Sequence, residues 1–337
     1  MNKLMDNINR DLWLKLIKSH AESYNLVPEI LKTEEFIFSA VQKNYKALRY
    51  IPDSYKTELL CFAAILKTSK ALRCISEAQK TDAICFTAVQ KSGRALRYVP
   101  KSLRTKAICL AALQKNSEAF CYVEKSFMTD AFYLSAVSQN SYVLKYIPDE
   151  IQTHAMCLIA VQKDGYSLEY VSESLQSREI LLAAVKQNGR SLGCISESLK
   201  TNEICIAAVQ QIGSALEYVP ESQKTEALCL EALKTGYFVL EYVPYSLRTE
   251  ALCLTAVQKN GYELKEVPES LRTSTLCLAA VQDTAYALEY VPVALRTEDL
   301  CLIALRKTPD LIKFIPKNLR AKLKAELKAE QNKKPGS

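Results

Sequence analysis

The stretch TEALCLTAVQKNGYELKEVPESLR, residues 249–272, decides the fold, because the chain writes the same 24-residue sentence again on both sides of it. Counting back by 24, Thr225, Thr201, Ser177, Thr153, Thr129, Thr105, Thr81, Thr57 and Thr33 each open a copy, and Thr273 and Thr297 open two more. The twelve copies fill residues 33–320 with no insertion or deletion. A strict period of this length marks a solenoid, whose units are too small to bury their apolar sides alone and do so against their neighbours. Positions within a copy run from 1, the opening Thr or Ser, to 24.

Each copy reads as a helical hairpin. The opening Thr is a good N-cap, and the acid that often follows it (Glu34, Asp82, Glu250) favours the positive end of the helix dipole. Apolar residues at positions 4, 5, 6, 8 and 9 wrap most of the first helix, so it is expected to be sandwiched between layers. Alanine at position 8 of every copy, from Ala40 to Ala304, predicts a helix contact with no room for a larger side chain. Asn188-Gly189, Asn260-Gly261, Gly93 and Gly213, at positions 12 and 13, predict a left-handed C-cap. A shorter second helix follows, with apolar residues at positions 16 and 19, and the recurrent Pro at position 20 ends it.

A 24-residue period also suits leucine-rich repeats, which need a strand LxLxxN with a buried Asn ladder. Three positions after the second leucine of Leu252-Cys253-Leu254 stands Val257, and every copy has Val, Ile or Leu there. The sequence therefore predicts an all-α solenoid of about thirteen 24-residue helical hairpins, forming a curved superhelical rod. Residues 9–32 are in register with the copies but carry Lys15-Leu16 at positions 7 and 8, as a capping repeat would. Residues 1–8 read as an N-terminal extension, and 321–337 as a polar cap helix followed by a disordered tail.

Nine of the twelve cysteines, from Cys61 to Cys301, stand at position 5, where other copies have Ile37, Tyr133 and Leu181. That interchange predicts buried thiols filling an apolar slot in a reducing compartment, with neither disulfides nor a metal site. No run of about 18 apolar residues offers a membrane span. His20 and His154 are too far apart along the repeats to cooperate, and no Gly-rich phosphate loop is present. No cofactor and no enzymatic activity are expected.

The units AVQKNGYELKEVPESLRT (256–273), AVQKDGYSLEYVSESLQS (160–177) and AVKQNGRSLGCISESLKT (184–201) resemble the family called domain of unknown function 4116. The resemblance covers residues 9–320. It implies short helical repeats of the kind seen in Legionella-type effectors: a protein made in the bacterial cytoplasm and translocated into a host cell, where it acts as an interaction scaffold. It supplies no catalytic residues.

Side chains that vary against this constant frame are the candidate site. Positions 14 and 17 share one face of the second helix and read Lys46/Arg49, Lys70/Arg73 and Arg94/Arg97 in the first three copies, with Lys43, Lys67 and Lys91 at position 11 beside them. Further on, position 14 becomes aromatic, in Tyr142, Tyr166, Phe238, Tyr262 and Tyr286, and position 17 acidic, in Glu169, Glu217, Glu241 and Glu289. Copies one to four carry a net +8 and copies five to twelve a net −5. Tyr at position 18 reads as an inter-layer packing ring. The favoured function is a monomeric protein-binding scaffold using both sets. The alternative is a nucleic-acid binder using the basic set, whose affinity would fall steeply with salt.

Overall fold

The computed structural model describes residues 2–333, with side chains described for 9–329. It is all-α, with no strand among the described residues, and the copies follow one plan, with departures in copies five, nine and twelve. A ten-residue α-helix occupies positions 2–11, as in Asn202–Gln211 and Glu250–Lys259. A 3-10 helix occupies positions 13–18, as in Gly213–Tyr218, and a single 3-10 turn positions 21–23, as in Glu221–Gln223. The chain is an α-solenoid, but its second helix is wound as 3-10.

Local chemistry sets each boundary. The position-1 hydroxyl accepts the N–H of position 4 in every copy, as Thr249 Oγ1 does from Leu252 at 3.3 Å. Such a cap contributes about 1 kcal/mol. Position 12 ends the α-helix and starts the 3-10 helix in an extended conformation, φ −151° and ψ 107° at Asn260, with its side-chain oxygen accepting the N–H two residues on. The left-handed C-cap is therefore corrected, since no glycine among the described residues has a positive φ.

Glycine at position 13 answers to packing instead. A Cβ built on Gly93, Gly165, Gly189, Gly213 or Gly261 would stand 2.0–2.5 Å from the carbonyl oxygen of the position-8 alanine in the next copy. That alanine is itself at most 1% exposed in all twelve copies. The two small residues thus set how closely one copy's 3-10 helix approaches the next copy's α-helix.

Positions 4, 5, 8 and 9 of the α-helix are buried, together with 15, 16 and 19 beyond it. Position 6 is buried only at Leu302, which corrects the expected sandwich: Phe38, Phe86, Ile206 and Leu278 are 36–42% exposed. One side of each α-helix faces water. In residues 9–32 the helix turns a different side inward, burying Leu14 and Ile17 and exposing Leu12 and Leu16.

A cation or amide at position 24 ties neighbouring copies together, a role the sequence did not reveal. Arg272 donates from Nε to the Val267 carbonyl at 3.0 Å, from Nη2 to Lys265 at 3.2 Å, and from Nη1 to Tyr290 of the next copy at 2.8 Å. Arg248 and Arg296 do the same, Arg104 does so from Nε and Nη1, and Lys80, Gln152 and Lys224 reach the equivalent position-18 carbonyl, whereas Lys56 and Lys200 pair with Asp53 and Glu197 of their own copies. These carbonyls end a 3-10 helix, where acceptors lack partners and the dipole favours a cation. Copy four has Met128 at this position.

The repeats form two compact units, Met1–Lys163 with Tyr170–Leu175, and Asp164–Glu169 with Gln176–Ser337. Their border falls inside copy six. A final helix, Lys317–Lys333, ends the described chain and runs past the helix end expected near Glu330; the rest of the expected tail, 334–337, lies outside the described residues.

Candidate functional site

All eleven candidate side chains are exposed, and all but Phe238 stand on the 3-10 helices. In a 3-10 helix, with three residues per turn, positions 14 and 17 eclipse, so every copy but the ninth stands its pair one above the other. Position-14 side chains of successive copies also touch. Arg94 binds Glu118 at 2.6 Å, Arg190 Nε donates to Ser214 Oγ at 3.3 Å, and the Tyr262 and Tyr286 rings stack with centroids 6.4 Å apart. Contacts along this row thus join copies three to four, seven to eight, and ten to eleven.

The first unit holds the basic set and Tyr142. Lys46, Arg49, Lys70 and Arg73 make no ion pair among the described residues; Glu118 neutralises Arg94, and Arg97 lies over the Tyr98 ring at 4.6 Å. Lys91 does not extend this patch. Its Nζ turns to the Leu66 carbonyl at the end of the preceding α-helix, as Lys259 and Lys307 turn to theirs. The position-18 tyrosines are half-buried between copies, with Tyr146 stacked against Phe120 of the preceding copy at 6.0 Å.

The second unit holds Tyr166, Phe238, Tyr262 and Tyr286, and in copy nine the plan breaks. Its 3-10 helix shrinks to Leu240–Tyr242, Phe238 takes φ 55°, and Tyr237 and Phe238 are 65% and 47% exposed. Copy eight has Ile212 in place of a capping side chain but keeps Gly213, and copy one has the bulky Tyr45 but keeps the Asn44 cap; both retain the helix. Copy nine, with Gly236 and Tyr237, lacks the cap and the small residue together, and loses the first turn; copy twelve, where Thr308 makes no side-chain cap bond, keeps its helix with Pro309 at the start, whose ring fixes φ near the helical value.

Glu263 of copy ten compensates. It stands at position 15, otherwise Ala, Val, Ser or Leu, and is 2% exposed. Its Oε1 accepts the Val239 N–H, freed by the lost turn, at 2.7 Å. Burial pushes the carboxyl above the ordinary 4.5, the Val239 and Leu240 N–H groups draw it back, and the nearby Glu241 and Glu266 charges raise it further. A carboxyl raised on folding contributes stability that is whole at acid pH and is lost as pH rises through its folded pKa. Glu263→Gln cannot ionise, so its melting temperature is expected to gain on wild type as pH is taken from about 4.5 to 8. A constant difference across that range would show that Glu263 carries no such cost.

The position-5 thiols are buried, and burial pushes those of Cys85, Cys109 and Cys253 up to about 11, far from a reactive thiolate. Among the described residues no group of three or more His, Cys, Asp or Glu could hold a metal ion, and no helix is long and apolar enough to cross a membrane. The grooves lie on the α-helix face, which sequence reasoning had packed away. One, an open space of about 400 Å³, is lined by Leu182, Lys186, Glu203, Ile206 and Gln210. The missed signal was the small or polar residue standing at positions 3, 7 and 10 around position 6.

The family model called domain of unknown function 4116 matches residues 9–56, 83–128, 132–176, 155–200, 177–224, 201–248 and 225–272, more than half of the chain. The chain belongs to this family. A 4116 match such as 9–56 or 177–224 spans two 24-residue copies, which agrees with a structure in which each copy completes its core against the next. The 4116 matches end at Arg272, short of the last two copies, although Thr273 and Thr297 open copies on the same plan. No curated protein and no solved structure matches the chain.

Proposed function

We propose that this member of the family is a non-catalytic scaffold that binds protein along its 3-10 face, and that it is a translocated effector engaging a host protein. The observation that carries the binding reading is the recurrence of exposed aromatic side chains at position 14 of the second unit, where Tyr262 and Tyr286 are 37% and 49% exposed yet stacked on each other. Exposed aromatics held rigid by their neighbours are the usual anchors of protein interfaces. The non-catalytic reading rests on the absence of inserted loops from the twelve copies and on the protonated, buried thiols. The effector reading rests on the family resemblance.

The test is capture from host-cell lysate with three proteins: wild type, Tyr262→Ala with Tyr286→Ala, and the six basic residues 46, 49, 70, 73, 94 and 97 all changed to Glu. A protein captured by wild type is expected to survive nuclease and 0.3 M salt, conditions that strip phosphate-dependent contacts, and to be lost from the tyrosine variant. Capture that nuclease abolishes, or that depends on the basic residues alone, would replace this reading with the nucleic-acid one. A translocation reporter fused to the chain tests the effector part.

A further inference from the structure

The break in copy nine is the least expected feature of the molecule, and it is costly in two ways. A phenylalanine with φ 55° occupies a conformation that side chains other than Gly, Asn and Asp disfavour, and a glutamate is buried to satisfy the backbone that the break exposes. What these costs maintain is a display. Tyr237 and Phe238 are lifted into solvent on the same 3-10 face that carries Tyr262 and Tyr286 in the next two copies. Strain held at a surface aromatic is a mark of function.

Within copies nine to eleven, the unpaired charges at position 17 of this strip are acidic. Glu241 and Glu289, at position 17 of copies nine and eleven, are exposed and make no ion pair among the described residues. Lys265, between them, is 3.5 Å from Glu266 and so is already matched. The cations that could neutralise the strip are turned away from it. Arg248, Arg272 and Arg296 hold backbone carbonyls, and Lys259 binds the carbonyls of Leu233 and Lys234 with Tyr237 beneath it. Open ring faces with unmatched carboxylates beside them favour guanidinium and ammonium groups, which gain from both at once.

Resting on the protein-binding reading above, we propose that Phe238, Tyr262 and Tyr286, with Glu241 and Glu289, form a docking strip for an arginine- or lysine-bearing segment of the partner. Cationic side chains of that segment stack on the rings and pair with the two carboxylates. Glu263 is a positioning residue that holds the copy-nine backbone in its displaced form and does not touch the partner.

The test is fluorescence anisotropy at 0.15 M salt with a labelled 12-residue peptide of alternating Arg and Gly, and a twin with Glu in place of Arg. The Arg peptide is expected to bind the full chain at least about tenfold more tightly than its twin, a difference of about 1.4 kcal/mol. Tyr262→Ala with Tyr286→Ala, and separately Glu241→Gln with Glu289→Gln, should each weaken it about fivefold or more. Glu221→Gln with Glu269→Gln, which removes the same charge from the linking turns, should change it less than twofold. Phe238→Gly separates strain from contact: glycine relieves the left-handed backbone, so the melting temperature is expected to rise by about 2–4 °C while peptide affinity falls. Equal binding of the two peptides, an equal loss in the linking-turn control, or a Phe238→Gly protein that melts lower and binds as before would each overturn the proposal. Lysate capture that depends on Tyr262 and Tyr286 while the Arg peptide fails would leave the scaffold reading standing and refute only this class of partner.

Discussion

Gly213→Ala is expected to destabilise the second unit by about 3 kcal/mol, at the upper end of overpacking costs. The single added carbon would stand 2.0 Å from the Ala232 carbonyl oxygen and 2.7 Å from the Gly236 nitrogen. Both obstacles are backbone, and neither can rotate aside as a side chain would. Relief requires moving one copy away from the next, which costs contact along the whole boundary. Gly193→Ala is the matched control. There the new carbon would meet the Tyr218 ring at 3.1 Å, and that half-buried side chain can give way. Urea unfolding of the two variants should differ in midpoint by most of the predicted cost. Equal midpoints would mean that the approach of the copies is not set at position 13.

Ala208→Leu is expected to cost a similar amount, about 3 kcal/mol. Ala208 is fully buried, and its own carbonyl is the one that a Cβ on Gly189 would meet at 2.4 Å. Three further carbons there must push apart the copies on either side. Ala207→Leu, one residue earlier at the half-exposed position 7, adds the same atoms where they reach water, and should shift the unfolding midpoint little. If the two substitutions cost the same, the alanine row reflects helix propensity and not close packing.

Much of this fold was legible because repetition magnifies weak signals. One Thr or Ser is a poor helix start, but twelve at a fixed interval, seven of them followed by an acid, mark the start, and each one caps. Alanine at position 8 likewise announced a close contact before its partner was visible. The winding of the second helix was not legible, since an apolar i, i+3 pair suits α and 3-10 alike. The role of glycine at position 13 was misread for a related reason. A Gly after Asn at a helix end usually signals backbone freedom, whereas here the demand comes from a carbonyl 19 residues further on, which local sequence cannot display.

The candidate site divides in the same way. That position 14 is exposed followed from its alternation between Lys, Arg, Tyr and Phe. That position-24 cations are spent on carbonyls did not, because Arg before Thr looks like any charged linker. Glu263 and Phe238 were invisible for a third reason. Each looks ordinary alone, and only the absence of both the cap and the small residue in copy nine makes one necessary and the other strained.

The position-24 ties also imply that the solenoid is a chain of couplings of unequal strength. Arg104 and Gln152 each grip the copy that follows them, but Met128, between the two, has no hydrogen to donate. The junction of copies four and five relies instead on Asn140 Nδ2, which donates to the Leu113 carbonyl at 2.8 Å, and on the Phe120 ring lying against Tyr133 and Tyr146, so substitution of Asn140 or Phe120 is expected to weaken this boundary more than the same change at a boundary with a position-24 tie.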